Sequence, residues 1–424
     1  MKIIAVIGLG YVGLGLAIAL SKKFSVVGYD ISKSRIMELR DNLDRNRCET
    51  EDELRVSTME LTNNLSDIKK ANFYIVTVST PAYFYEHPNL EPLINATKDL
   101  GTVLKKGDTV VFESTVYPGT TEEVCLPLLE EHSNLQNGQD FNIGYSPERI
   151  SPCLEGHNLK NITKIISGQN EATLKAVQEV YESICDTVYP VSNIKTAEAI
   201  KVLENTQRDV NIAFMNEFAE IMHALEIDTH EVIEAAKTKW SFVPFKPGLV
   251  GGHCIAVDPH YLAFKAKRVG LHPDLILNAR KINDNMPLFL VQDLIKTLMK
   301  NEMNINKMSL GIFGVTYKEN IPDIRNSLAI KLLKVLDSYG FKYQVHDPLA
   351  NKVVLKEKYN VELKDFEEIK ELSVAIVVVQ HNFYRDAGVD SFLEKMQSKG
   401  VLMDVPNLFV TQKSHFKNII YWNL

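Results

Sequence analysis

The chain opens on an apolar run that then changes period. "KIIAVIGLG" is continuously hydrophobic, as a strand buried on both faces would be, and it runs into a turn. "YVGLGLAIALSKKF" follows with helical character, and "SVVGYD" is a second short apolar run. Strand, helix and strand in about thirty residues predict a βαβ unit. Further apolar runs, "NFYIVTVST", "DTVVFEST", "FNIGYS" and "KIISG", alternate with helical stretches. That alternation predicts a doubly wound sheet. Ligands of such sheets bind beyond the carboxyl ends of the strands. Those ends carry Ser79, Thr80, Ser114, Thr115 and, in "SPER", Glu148.

Beyond this sheet the pattern lengthens. "IKTAEAIKVLENTQRDVNIAFMNEFAEIMHALEID" has no Gly or Pro, so a single helix of roughly 45 Å is expected. Ile200, Leu203, Phe214, Phe218, Ile221 and Leu225 are expected to form its buried sides. Lys201, Asn205 and Arg208 fall on one face of it, because i, i+4 and i+7 coincide on a helix. From about Lys307 the βαβ logic restarts. "MSLGIFG" reads as a strand, "LAIKLLKVLDSYG" as a helix, and "FKYQVHDP" as a strand ending in Asp347. "VAIVVVQ" and "GVLMDV" read as further buried strands. The expected fold is α/β: two Rossmann-like doubly wound domains joined by a long central helix. The expected division is residues 1–190, a central part 191–300 with catalytic and dimerisation roles, and residues 301–424.

Composition narrows the function classes. With 424 residues there is room for two or three domains with real cores. A formal net charge of −7 and no long basic run argue against nucleic-acid binding. The amino-terminal apolar stretch could pass for a secretory signal, but Gly8, Gly10 and Gly13 weaken it as a helical core. No other segment approaches the length of a membrane span. The five cysteines, Cys48, Cys125, Cys153, Cys185 and Cys254, are scattered without CxxC spacing. Neither a disulfide framework nor a zinc ribbon is expected, and a reducing, cytoplasmic setting is.

The first turn carries specific chemistry. Gly8, Gly10 and Gly13 form G-x-G-x-x-G around Tyr11 and Val12, and Asp30 closes the second strand. Gly8 suits the tight turn, Gly10 a close pyrophosphate and Gly13 a close helix. Asp30 suits an adenosine ribose hydroxyl and would repel a 2′-phosphate, so NAD is expected over NADP. Lys33 and Arg35 are cations nearby, expected to be solvated. The last domain lacks the three-glycine turn, but Lys318 and Arg325 in its first loop could serve a phosphate or another anion.

The segment "VGGHCIAVDPH" leaves Cys254 open to three readings. As a metal ligand it would need His253, but sequence neighbours on an extended segment point apart, and four ligands are not in sight. No metal is expected. As a core thiol it would be unexceptional, yet Gly251 and Gly252 leave a bare backbone just before it. As a nucleophile near a helix start, with Lys201 nearby in space, it would have a lowered thiol pKa. Asp258 before Pro259 also reads simply as a helix N-cap with Pro at the first position.

These motifs occur in order along the whole chain: "GLGYVGL", "ESTVYPGTT", "YSPERI", "EAIKVLENTQRDVNIAFMNE", "PGLVGGHCIAVDPHYL" and "TYKENIPDIRNS". Together they resemble the UDP-glucose/GDP-mannose dehydrogenase family, whose members oxidise a sugar-nucleotide hydroxymethyl to a carboxylate with two NAD. The chain is most similar to the branch acting on UDP-N-acetylhexosamines for surface polysaccharide. Glucose-oxidising relatives carry Lys where this chain has Val257, and Glu where it has Pro152. Gly15 and Ser79 stand where relatives commonly have Pro, both near the expected NAD site.

The resemblance implies roles. Cys254 is the nucleophile that holds the aldehyde as a thiohemiacetal and then a thioester. Lys201 and Asn205 stabilise the oxyanion. Asp258 positions water or acts as base, with Thr115 and Glu148 assisting. NAD is held by Gly8, Gly10, Tyr11, Val12, Gly13, Asp30, Arg35, Thr80, Thr115 and Arg325. The UDP-sugar is held by Glu148, Arg149, Lys201, Asn205, Arg208, Gly251, Lys318 and Phe245 in the loop "KWSFVPFKPG". A homodimer is implied by the long helix. Within the family, UDP-GlcNAc and UDP-GalNAc are the first substrates, and UDP-N-acetylmannosamine or UDP-glucose the alternatives. Outside it stand a two-electron hydroxy acid dehydrogenase, which needs no cysteine, and a non-catalytic NAD-binding protein.

Overall fold

The computed structural model describes residues 2–46, 48–81, 87–150, 159–252, 254–416 and 418–424. The chain divides into two compact units, one of residues 1–205 and 260–272, the other of residues 206–259 and 273–424.

The first unit is built on an eight-stranded sheet. Its strands are β1 (Ile3–Ile7), β2 (Ser25–Tyr29), β3 (Glu60–Thr62), β4 (Phe73–Val76), β5 (Thr109–Phe112), β6 (Asn142–Tyr145), β7 (Thr163–Gly168) and β8 (Thr187–Pro190). Their order is β3-β2-β1-β4-β5-β6-β7-β8. Every pair is parallel except β6 with β7, which is antiparallel. The short strands β3 and β8 have no sequence expectation behind them. Strand order reverses between β1 and β4, which places the ligand-binding crevice at their carboxyl ends. Both faces of the sheet are covered. Ile4 and Val6 enter a core with the helix Gly13–Ser21, while Ala5 and Ile7 enter the core on the other face. Burial on both sides is why β1 shows no alternation of polar and apolar residues.

The second unit has a five-stranded parallel sheet: β9 (Ser309–Phe313), β10 (Lys342–His346), β11 (Leu372–Val377), β12 (Met396–Asp404) and β13 (Ile419–Asn423). Their order is β10-β9-β11-β12-β13. The helix Leu328–Ser338 starts where the Ser327 hydroxyl accepts the Ala329 N–H at 3.2 Å. The helix Asp274–Lys300 runs through Pro287.

The long helix is present as Ile194–Ala224, 31 residues. Its expected buried sides need correcting. Leu203, Phe214, Ile221 and Leu225 are 61%, 61%, 50% and 60% exposed. The buried apolar positions are Ile194, Ala197, Val202, Ala213, Met215, Ala219 and Met222. The helix is apolar on more than one side, so hydrophobicity alone did not single out the inward face.

The cysteine expectation also changes. Cys125 and Cys185 are free and buried, and Cys254 is free and exposed. Cys48 is disulfide-bonded, although nothing in the cysteine spacing announced it, because spacing does not report which chain segments meet. Cys153 lies outside the described residues.

Candidate functional site

The glycine turn is built as a dinucleotide site requires. Gly8 has φ +95°, and its N–H donates to Tyr29 O at 2.8 Å. A Cβ on Gly13 would lie 1.9 Å from Gly8 O and 2.3 Å from the Thr77 hydroxyl, so only glycine lets the helix start there. A Cβ on Gly10 would meet nothing within 4 Å, which leaves its outer side open to a ligand. Asp30 is already anchored: Oδ2 accepts Leu9 N–H and Oδ1 accepts Ser32 N–H, each at 2.9 Å. Each carboxylate oxygen keeps a further lone pair for a ribose hydroxyl. These features fit NAD, and exposed Ile31 follows Asp30 in the chain.

Arg35 corrects the expectation of a solvated cation. It is buried, its Nε donates to Leu9 O at 2.9 Å, and its Nη2 pairs with Asp44 at 2.8 Å. Its guanidinium is committed to shaping the turn and does not stand ready for a 2′-phosphate. A Cβ on Gly15 would lie 2.6 Å from Glu49 Oε1, the end of a flexible side chain that can turn aside. Burial, with Glu53 and Asp44 nearby, raises the Glu49 carboxyl to about 7. Ser79 is exposed at the end of the segment after β4, and the next hydroxyl, Thr80, donates to Thr115 O at 2.6 Å.

The ends of β5 and β6 carry Thr115 and Glu148, and the long helix brings Lys201 and Asn205, both buried, to the same unit. Lys201 Nζ lies 3.3 Å from Glu148 Oε2. Glu148 Oε1 is buried and has no hydrogen-bond partner among the described residues. Arg149 is engaged elsewhere, with Glu204 at 2.7 Å and Thr163 O at 2.6 Å.

Four buried residues, Lys164, Glu113, Tyr181 and Glu198, are not evident from the sequence. Lys164, fully buried on β7, pairs with Glu113 at 2.8 Å and lies 3.3 Å from Pro147 O, next to Glu148. The Tyr181 hydroxyl donates to the other oxygen of Glu113. Glu198, one turn before Lys201, accepts N–H donors from Gly119 and Thr121. Burial raises its carboxyl to about 7 against those bonds. A lysine inside the apolar run "TKIISG" was the available signal for the first of these.

In the second unit Cys254 follows the two glycines and is exposed, which removes the core-thiol reading. Burial pushes the Cys125 thiol up to about 12 and the Cys185 thiol up to about 11. Of the three free thiols among the described residues, Cys254 is the exposed one. Its carbonyl accepts Asp258 N–H at 2.9 Å, at the start of the helix Asp258–Arg268. Asp258 and the neighbouring Val257 are buried, at 3% and 5% exposure. His253 and Pro152 lie outside the described residues. Among those described, no group of His, Cys, Asp and Glu could hold a metal ion.

The bare backbone at Gly251 and Gly252 is close to protein. A Cβ on Gly251 would lie 2.5 Å from Asn326 O, and one on Gly252 2.5 Å from the Tyr317 ring. In the loop after β9, Lys318 and Tyr317 are half-buried, and Arg325 is bound to Asp323 at 2.7 Å. Phe245 is half-buried and Arg208 exposed. Asp347, at the end of β10, accepts N–H donors from Val315, Thr316, Leu349 and Ala350 and contacts His381 at 3.3 Å. Its carboxylate is spent on its own turn, where Asp30 keeps capacity for a ligand.

A doubly wound sheet with this turn and acid defines an NAD-binding dehydrogenase. The comparisons say which. The UDP-glucose/GDP-mannose dehydrogenase family matches in three stretches: its NAD binding domain over residues 1–185, its central domain over 195–285 and its UDP binding domain over 311–411. Protein CapL of Staphylococcus aureus is 46% identical over 406 residues, 96% of each chain. The UDP-N-acetyl-D-glucosamine 6-dehydrogenase of Salmonella typhi is 45% identical over 413 residues, 97% of each chain. The solved UDP-D-ManNAc dehydrogenase of Pyrococcus horikoshii superposes with a TM-score of 0.89 at 29% identity, covering 100% of this chain and 99% of that one. The chain belongs to the UDP-glucose/GDP-mannose dehydrogenase family and is an NAD-dependent oxidoreductase of it.

Proposed function

We propose that the protein oxidises the C6 hydroxymethyl of a UDP-N-acetylhexosamine, UDP-GlcNAc or UDP-GalNAc, to the uronate for surface polysaccharide. The observation that carries the four-electron chemistry is the exposed free thiol of Cys254 just before buried Asp258, which a two-electron dehydrogenase would not need. Whole-length similarity to a UDP-N-acetyl-D-glucosamine 6-dehydrogenase supports the sugar class.

NAD, when bound, takes up the hydrides that C6 gives up. The thiolate of Cys254 adds to the C6 aldehyde, a C–S bond forms and the carbonyl oxygen becomes an oxyanion. Lys201 and Asn205 donate to that oxyanion. After the second oxidation the carbon is a thioester. Water adds to it, the C–S bond breaks, and thiolate and carboxylate are released. Asp258 takes the proton of that water, with Thr115 and Glu148 ordering it. The buried Glu148 Oε1 supports this, since no described residue donates to it.

For NAD we assign Gly8, Gly10, Tyr11, Val12, Gly13, Asp30, Thr80, Thr115 and Arg325, with Arg35 acting through the Leu9 carbonyl. For the UDP-sugar we assign Glu148, Arg149, Arg208, Phe245, Gly251 and Lys318. The division of labour follows residues 1–190, 191–300 and 301–424. The protein works in the cytoplasm as a homodimer, which the exposed apolar stripe Phe214, Ile221 and Leu225 supports. No described helix is long and apolar enough to cross a membrane. NADH production measured across a panel of UDP-sugars tests the substrate. A preference for UDP-glucose over every N-acetylated sugar would refute it.

A further inference from the structure

We propose that Asn216 and Asn326 are positioning residues for Cys254. Two side-chain amides clamp the segment that leads to the thiol, one at Gly248 and one at Gly252. The inference rests on the reading of Cys254 as the nucleophile.

Asn216, fully buried on the long helix, reads both polar groups of one residue. Its Oδ1 accepts Gly248 N–H at 2.7 Å, and its Nδ2 donates to Gly248 O at 3.1 Å. This two-way bond fixes the direction of the backbone as well as its place. The amide is itself oriented. Nδ2 also donates to Asn283 Oδ1 at 2.8 Å, and Asn283 Nδ2 donates to Asp209 Oδ1 at 2.7 Å and Asp209 O at 3.0 Å. Carboxylate and carbonyl oxygens only accept, so the Asn283 amide has one orientation, and that sets the Asn216 amide. Arg280 completes the row by donating to the Asp209 carboxylate.

At the other end Asn326 has φ +53°. Its carbonyl accepts Gly252 N–H at 3.3 Å, and its Nδ2 donates to Gly252 O at 3.3 Å. Gly251 and Gly252 lie flat against Asn326 O and the Tyr317 ring, where any Cβ would collide. Cys254 is two residues further on. Its own side chain is exposed, so burial of the thiol does little to place it. Addition requires placement within a fraction of an ångström, and these two amides grip the backbone that carries the thiol.

The test exploits a difference between the two oxidations. Forming the aldehyde needs no thiol, whereas capturing it does. A displaced thiol therefore lets aldehyde escape, which loss of stability alone would not do. Asn216→Asp keeps the acceptor for Gly248 N–H and removes both donated bonds. Asn326→Gly tolerates the positive φ and keeps the backbone bond, removing only the side-chain amide. It remains informative if the first variant fails to fold. Each is assayed with NAD and the best UDP-sugar of the panel, with a hydrazine trap and a melting curve. We expect about tenfold lower kcat, an NADH-to-uronate ratio above that of the wild type, and a trapped aldehyde absent from the wild type. Folded variants that keep the wild-type ratio and trap no aldehyde overturn the proposal, whether or not kcat or Tm falls. If the wild type itself yields one NADH per sugar, the nucleophile reading fails instead.

Discussion

Lys201 Nζ lies 3.3 Å from Glu148 Oε2, while the other oxygen of that carboxylate is buried without a hydrogen-bond partner among the described residues. One oxygen is thus held by a cation, and the other has no donor among the described residues. Glu148→Gln keeps the shape but takes the negative charge from beside Lys201. A charged hydrogen bond is worth about 1.5–3 kcal/mol, so kcat should fall by roughly 10- to 100-fold with Tm nearly unchanged. Steady-state kinetics beside a melting curve checks this, and wild-type turnover would remove Glu148 from the mechanism.

Cys254→Ser should abolish net uronate formation by orders of magnitude, because a hydroxyl is a far poorer nucleophile than a thiolate. The side chain is exposed, so Tm should not move. The wild type should give two NADH per uronate and no free aldehyde. Asp258→Asn separates two readings of that residue: an N-cap would tolerate Asn, whereas a base would not.

Asp30→Ala should raise relative use of NADP. It should also weaken NAD binding, since Asp30 accepts the backbone N–H groups of Leu9 in the turn and of Ser32. With Arg35 committed to Leu9 O and Asp44, the wild type should strongly prefer NAD. Comparison of kcat/KM for the two cofactors decides it.

Glu198 should make stability depend on pH. Burial raises its carboxyl from the ordinary 4.5 to about 7 in the folded protein. The folded state therefore holds that proton more tightly than the unfolded chain does. The resulting stability is full below pH 4.5 and is lost as pH rises to about 7, up to about 3 kcal/mol in all. Glu198→Gln cannot titrate, so this fall should be missing from its Tm measured between pH 5 and pH 8. An unchanged slope would place the titration elsewhere.

The stripe Phe214, Ile221 and Leu225 should lie in a subunit interface. Phe214→Asp with Ile221→Asp should convert the protein to a monomer in light scattering without unfolding it. A wild type that is monomeric at micromolar concentration would leave these residues unexplained.

Much of the fold is legible in the sequence. The glycine turn, Asp30 and β1 fall within about thirty consecutive residues whose pattern is local, and the 3.6-residue period of the long helix is a local property too. Local patterns survive folding because they depend on neighbours a few residues away. What the sequence left open depends on which segments meet. The long helix is apolar on more than one side, so its inward face was chosen by packing, and Leu203, Phe214, Ile221 and Leu225 turned out exposed. Arg35 looked like a solvated cation and became a buried brace because Asp44 folds back onto it. Asn216 is 32 residues from Gly248, and Asn326 is 74 from Gly252. No periodicity encodes those pairings. They exist because buried amides and backbone groups must find partners once water is excluded, and only the tertiary fold decides which partners those are.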